Sequence, residues 1–224
     1  MLNYLRGVVM KLKYYVEPID SKETHPWLLE KHYAHRLPSI SYAFGLFNKD
    51  KILQGVCTFG YPPNYEYNDG KCVFKKYKCL TLELNRLVIN ESLPKNILSY
   101  FISQCFKKLP KPLCIVSYAD PNNGHQGYIY QATNWIYSGT STPKKQYTFE
   151  DGSTFDIRRG IDKKGKIVSV VSLKPTHRYF MFLGNKKERK EMLNDFSFPI
   201  LPYPKGDNKR YDASYEPAIQ TRLF

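Results

Sequence analysis

Along residues 1–140 the spacing of apolar positions switches between two and three-to-four residues, which predicts alternating strands and helices. Lys11 to Ile19 alternates Leu12, Tyr14 and Val16 with polar neighbours, a first strand ended by Pro18 and Asp20. Ser21 then caps a predicted helix that carries Trp27, Leu28 and Leu29 and runs through His32 and Tyr33 to Arg36, before Pro38 breaks it. Tyr42 to Phe47 and Ile52 to Phe59, joined by the polar turn Asn48-Lys49-Asp50-Lys51, read as an antiparallel hairpin. Leu80 to Ile89 is a long strand, and the helix after Pro94 presents Leu98, Phe101, Ile102, Cys105, Phe106 and Leu109 on one face.

The stretch Cys114 to Gly139 organises the chain. Cys114 to Tyr118 is a buried strand, Ala119 to Gly124 is dense in turn formers, a helix spans Gly127 to Trp135, and Ile136 to Gly139 is extended. Beyond it lie short strands at Gln146 to Glu150, Lys166 to Leu173 and Arg178 to Leu183, then a basic helix at Lys186 to Asn194 and a proline-rich extended segment. The order is that of a mixed α/β layer: a core over residues 1–140, completed by strands, a basic helix and a tail over 141–224.

Charge narrows the partners. A formal net charge of +14 and a pI near 9.4 favour a polyanion such as nucleic acid. No run of about 18 apolar residues is present, so no membrane helix is expected, and the first residues are too short and polar for a signal peptide. Five cysteines without a CxxC pair point away from a zinc ribbon or a disulfide scaffold and toward a reducing, intracellular setting.

Four groups of side chains carry candidate chemistry. His32, Tyr33, His35 and Arg36 follow the first helix, and Glu83 and Arg86 lie in the long strand, where charges are costly unless paired or used. Ser117, Tyr118, Asp120 and His125 sit around the end of the organising strand, where ligands collect in open sheets. Asp120 has a second reading, as the cap of its own loop. Tyr130, Gln131 and Asn134 lie on the helix beyond, and Tyr61 and Tyr65 are candidate stacking platforms for bases.

The strings LELNRL, SYADP and GHQGYIYQATNWIYSG, with KPTHRYFMFLG, the basic Lys186 to Lys190 helix and FPILPYPK further on, resemble the Mom family of bacteriophage DNA-modification proteins over roughly Leu29 to Lys205. That resemblance implies a fold like the GCN5-related N-acyltransferases, with a sheet splayed between its fourth and fifth strands and acyl-coenzyme A, such as acetyl-coenzyme A, in the gap. The usual Gly-rich pyrophosphate loop is replaced by Asn90 to Asn96. Val88, Lys95, Asn96 and Asn134 are the expected cofactor contacts.

The family's reaction places a carbamoylmethyl group on N6 of adenine in double-stranded DNA, in the host cytoplasm, and shields phage DNA from restriction. The base is expected to leave the stack to reach the crevice beside Asp120. The resemblance assigns catalysis to Tyr33, Arg86, Asp120 and Tyr130 and an iron ion to His32, Tyr33 and Asp120. A transferase acting on another amine and a DNA-binding module without catalysis are the two competing classes.

Overall fold

A computed structural model describes residues 13–63, 67, 72–156 and 166–205. Tyr65, the start of the first predicted strand and the tail beyond 205 lie outside the described residues. The architecture is mixed α/β. Strands β1 (Tyr14–Pro18), β2 (Tyr42–Asn48), β3 (Leu53–Gly60) and β4 (Leu80–Ile89) form an antiparallel meander. Helix α1 (Ile97–Lys108) returns the chain to β5 (Leu113–Ala119), which pairs parallel to β4. The short helix α2 (Tyr128–Ala132) leads to β6 (Ile136–Thr140), and an arm of three strands follows: β7 (Lys144–Phe149), β8 (Thr154–Asp156) and β9 (Ile167–Leu173). Strand β10 (His177–Leu183) and helix α3 (Lys186–Asp195) complete the described chain.

The seven-stranded sheet runs β1-β2-β3-β4-β5-β10-β6, so β10 enters between two strands that are neighbours in sequence. Its composition explains the position. Tyr179 and Phe180 point to opposite faces and both are fully buried, which suits an inner strand and not an edge. The same holds for β5: Leu113 and Ile115 pack with Phe101 and Ile102 of α1, whereas Cys114 and Val116 pack with Phe180, Met192 and Phe196. By contrast Ile167, Val168, Val170 and Val171 of β9 are exposed on both faces, so the arm stands away from the core.

Two local departures from simple periodicity shape the site. The predicted helix over Ser21 to Arg36 is instead a 3-10 turn, Ser21–Thr24, followed by a π turn, Trp27–Lys31. Asp20, not Ser21, is the cap, in a reciprocal capping box with Glu23. Pro26 supplies no amide hydrogen, and the turn closes when His32 N–H donates to the Trp27 carbonyl at 2.9 Å. His32 is therefore extended backbone beyond the turn.

The second departure is a bulge. Leu82 and Leu84 join the core beneath α1, and so do Leu87 and Ile89, which strict alternation would send to the other face. Register slips between the pairs Thr58↔Arg86 and Phe59↔Leu84, leaving Asn85 as the extra residue. Thr58 Oγ1 donates to Asn85 Oδ1 at 2.6 Å and Asn85 Nδ2 donates to the Ser39 carbonyl at 2.8 Å, which fixes the bulge. Glu83 and Arg86 thereby share the face opposite α1.

β4 and β5 pair only from Leu80↔Leu113 to Glu83↔Val116 and then part. At the parting, Ser117 Oγ lies 2.7 Å from the Leu84 carbonyl oxygen and 2.7 Å from the Tyr130 hydroxyl. One hydroxyl donates once, and a carbonyl only accepts, so Ser117 donates to Leu84 and Tyr130 donates to Ser117. Ser117→Ala removes both bonds inside the protein. It is expected to lower unfolding free energy by about 1–3 kcal/mol, read as a lower urea midpoint at unchanged slope.

Candidate active site at the parting of two strands

Asp120 follows β5 directly, and the structure gives it the capping role: its Oδ1 accepts from Asn122 N at 2.9 Å and Asn122 Nδ2 at 2.8 Å, and its Oδ2 accepts from Asn123 Nδ2 at 2.9 Å. The loop then brings His125 back, with its N–H on the Asp120 carbonyl at 3.0 Å. Gly127 starts α2 at φ 76°, and a Cβ there would lie 2.4 Å from the Tyr179 ring, so only glycine fits. Tyr179 in turn donates its hydroxyl to the Gln126 carbonyl at 2.6 Å.

Across the parting, the segment after the π turn supplies His32 and Tyr33. Lys31, only 2% exposed along its side chain, ties this segment to the loop after β4 through Glu91, with Nζ and Oε2 2.7 Å apart. The Tyr33 ring lies 4.3 Å from the His32 ring and 5.2 Å from the His125 ring. Burial raises the Tyr33 hydroxyl above its usual pKa, Asp120 adds to the rise, and Arg86 opposes it. Burial lowers Arg86 as well, against Tyr33, Glu83 and Tyr130, which favour its charge. Tyr130 is pushed well up by burial. Thus Tyr33, Arg86, Asp120 and Tyr130 share one electrostatic neighbourhood with His32, His125 and Glu83.

Two polar atoms there stand out. Arg86 Nε and His125 Nε2 are buried and have no hydrogen-bond partner among the described residues. Buried donors and acceptors are nearly always paired in folded proteins, so these two orphans are candidates to meet a polar ligand. His125 is held below its usual pKa by burial, with Asp120 acting in the opposite sense.

The iron expectation fares differently. His32 Nδ1 accepts from Ala34 N–H at 3.0 Å, and burial with the nearby Arg86 charge lowers its pKa to about 3. The ring is therefore neutral at pH 7 with its proton on Nε2, so neither nitrogen offers a free lone pair to a metal. Among the described residues no three His, Cys, Asp or Glu side chains gather to hold an ion. Iron at His32, Tyr33 and Asp120 is thus unsupported by this arrangement.

The four cofactor positions are dispersed. Lys95 and Asn96 are exposed at the start of α1, where Asn96 adopts φ 71° and makes no side-chain cap. The Ile97 amide that opens α1 already donates to the Pro94 carbonyl at 3.2 Å, and the Asn96 side chain caps none of those that follow, which are the ones left for a pyrophosphate. Val88 packs with Trp27, Leu28 and Val56, so only its backbone is available. Asn134 is exposed at φ 60° and ends α2. The Ser117 bridge and the Asn122 and Asn123 anchors of Asp120 went unassigned in the sequence, although the density of turn formers after Asp120 signalled the latter.

A profile of the Mom protein family matches residues 13–205. The chain is 32% identical over 206 residues to the methylcarbamoylase Mom of Escherichia phage Mu, covering 85% of this chain and 83% of that protein. Among solved structures, Arabidopsis thaliana NAA60 in complex with a bisubstrate analogue aligns over 77% of this chain and 99% of its own, at 11% identity and a TM-score of 0.46.

His32 also sets a pH dependence. Its folded pKa is far below the usual 6.5, so the unfolded chain takes up the proton first as pH falls. Its contribution is complete above pH 6.5 and is lost as pH falls from there toward 3. Between pH 7 and pH 5 this one group accounts for a loss of about 2 kcal/mol. Urea unfolding at the two pH values checks it: His32→Asn, which keeps an acceptor for Ala34 but does not titrate, should show a correspondingly smaller drop.

Proposed function

Because this chain belongs to the Mom protein family, we propose that it is a transferase that modifies DNA, placing a carbamoylmethyl group on the exocyclic N6 of adenine. The observation that carries this reading is the 32% identity, across most of both chains, to a methylcarbamoylase. Supporting it are the rings of Tyr33 and His125, 5.2 Å apart and tilted by 41°, and nearby polar atoms suited to a base edge. Tyr33 and His125 stack against a ring, and Arg86 Nε and His125 Nε2 supply the donor and the acceptor or donor that a purine edge requires.

In this reading the target nucleotide leaves the duplex, and unstacking costs a few kcal/mol, repaid by these contacts. An acyl-coenzyme A donor lies along the parted strands, its pyrophosphate at Lys95, Asn96 and the first amides of α1, and its acyl end toward Tyr130 and Ser117. Asp120 accepts a hydrogen bond from the adenine amino group and orients it; attack of that amine on the thioester carbonyl would release coenzyme A and leave an N6-acyl group, so plain acyl transfer does not by itself give a carbamoylmethyl group, which is joined through its methylene carbon. Tyr33 faces the base. Arg86 balances the negative charge that gathers on the donor. No step is routed through iron. The substrate sets the location, inside the bacterial host, and the modified adenines resist restriction enzymes that read N6 in the major groove.

Nucleosides from plasmid DNA of cells expressing the protein, analysed by mass spectrometry, test the reading. A new deoxyadenosine adduct is expected with the wild type, and about 100-fold less with Asp120→Asn or Tyr33→Phe. Unmodified DNA in the presence of soluble wild-type protein sinks the assignment of activity. A wild-type level of adduct with Asp120→Asn sinks the assignment of that residue alone.

A further inference from the structure

Beyond Asp120, on the side away from α1, a cleft of about 100 Å³ opens between the end of β5 and the root of the β7–β9 arm. We infer that this cleft, lined by Arg36, Lys144 and Lys174 with the hydroxyls of Ser141, Thr142 and Thr176, holds a phosphate of the DNA backbone next to the target nucleotide. The inference rests on DNA being the substrate and adds a site to that reading.

The electrostatics favour an anion. Three cations line the cleft against one carboxylate, Asp120, and both oxygens of that carboxylate are already engaged by the Asn122 and Asn123 amide groups. A phosphate fits a cleft of this size.

The walls are fixed before any ligand arrives. Asn122 clamps the arm's root at both ends of one residue, with Nδ2 donating to the Lys174 carbonyl at 2.9 Å and Oδ1 accepting from Lys174 N–H at 2.9 Å. Ser141 and Thr176 are joined by a backbone bond of 2.8 Å and by a contact of 2.8 Å between their hydroxyl oxygens. The two lysines that supply the charge come from β7 and from the residue after β9, so the arm carries them to the site as one unit. Because Asp120 forms the inner wall, a phosphate held here adjoins the crevice where a flipped base would sit.

A phosphate of coenzyme A is the other source of the same chemistry. Position argues for DNA: the cleft is built on the β5, β10 and β6 side of the parting, whereas the amides suited to the cofactor's pyrophosphate start α1 beyond β4. The arm also leaves the core on this side and exposes Lys145 to solvent, with Lys166 paired to Glu150 at 3.8 Å.

The test uses the full chain and a fluorescent duplex, with anisotropy recorded over a series of salt concentrations, and calorimetry with acetyl-coenzyme A in parallel. Lys144→Ala with Lys174→Ala is compared with Lys107→Ala at the far end of α1, which changes net charge away from the cleft. Expected for the double variant is a loss of DNA affinity of about tenfold near 0.1 M salt, a slope of log Kd against log salt shallower by about 1, and unchanged acetyl-coenzyme A binding. The Lys107→Ala variant should keep the wild-type slope. An unchanged slope in the double variant, with wild-type DNA binding intact, overturns the cleft while leaving the DNA reading in place. A loss of acetyl-coenzyme A affinity instead assigns the cleft to the cofactor and overturns it too. Wild-type protein that binds duplex DNA without salt dependence removes the DNA reading and the cleft together.

Discussion

Two parallel strands that stop pairing leave backbone groups facing a crevice, and buried backbone groups must find partners. Here the Leu84 carbonyl at the point of separation takes the Ser117 hydroxyl, and Tyr130 from α2 closes the relay by donating to that same oxygen. This small network props the sheet open and seats α2 behind it. The rest of the site hangs on it: Asp120 is three residues beyond Ser117, His125 is returned by the loop that Asp120 caps, and Tyr179 from β10 holds that loop from the other side. A crevice kept open by hydrogen bonds is also pre-organised, so a ligand entering it meets polar atoms already aimed.

Much of the fold was written in the apolar periodicity, because strands and helices that face a core must alternate at two or 3.6 residues. The hairpin, the long β4, the amphipathic α1 and the organising strand β5 fall where that spacing puts them. The order of strands was not legible. Periodicity says that β10 is buried on both faces and is silent on its partners, so its entry between β5 and β6 had to come from three dimensions. LELNRL does carry a trace of its bulge: Leu82 and Leu84 are two apart and Leu87 lies three further on, a break in alternation that the extra residue Asn85 accounts for.

The same division applies to the site. A carboxylate at the end of a strand is a candidate by position alone, and the strings around Asp120, Arg86 and Tyr130 tie it to a family. What the sequence hides is how each group spends its hydrogen bonds. The iron set finds no support in the local geometry, where the Ala34 amide sits on His32 Nδ1. Lys144 and Lys174 stand thirty residues apart, and it is the antiparallel pairing of Lys144 with Leu173 that sets them side by side, with the Asn122 clamp tying Lys174 to the loop after β5.

The placement of β10 has a consequence in time. During synthesis β5 emerges and pairs with β4, yet its other edge waits for a strand whose last residue, Leu183, lies seventy positions after its partner Leu113. Until then β6 has no neighbour in the sheet among the described residues, since its strand pairing there is to β10, and an apolar, hydrogen-bond-hungry edge is open to other chains. The loop that carries Asp120 and His125 is likewise without Tyr179. The nascent protein therefore acquires its finished crevice late and nearly all at once, when a strand made after the arm slides into the middle of the sheet.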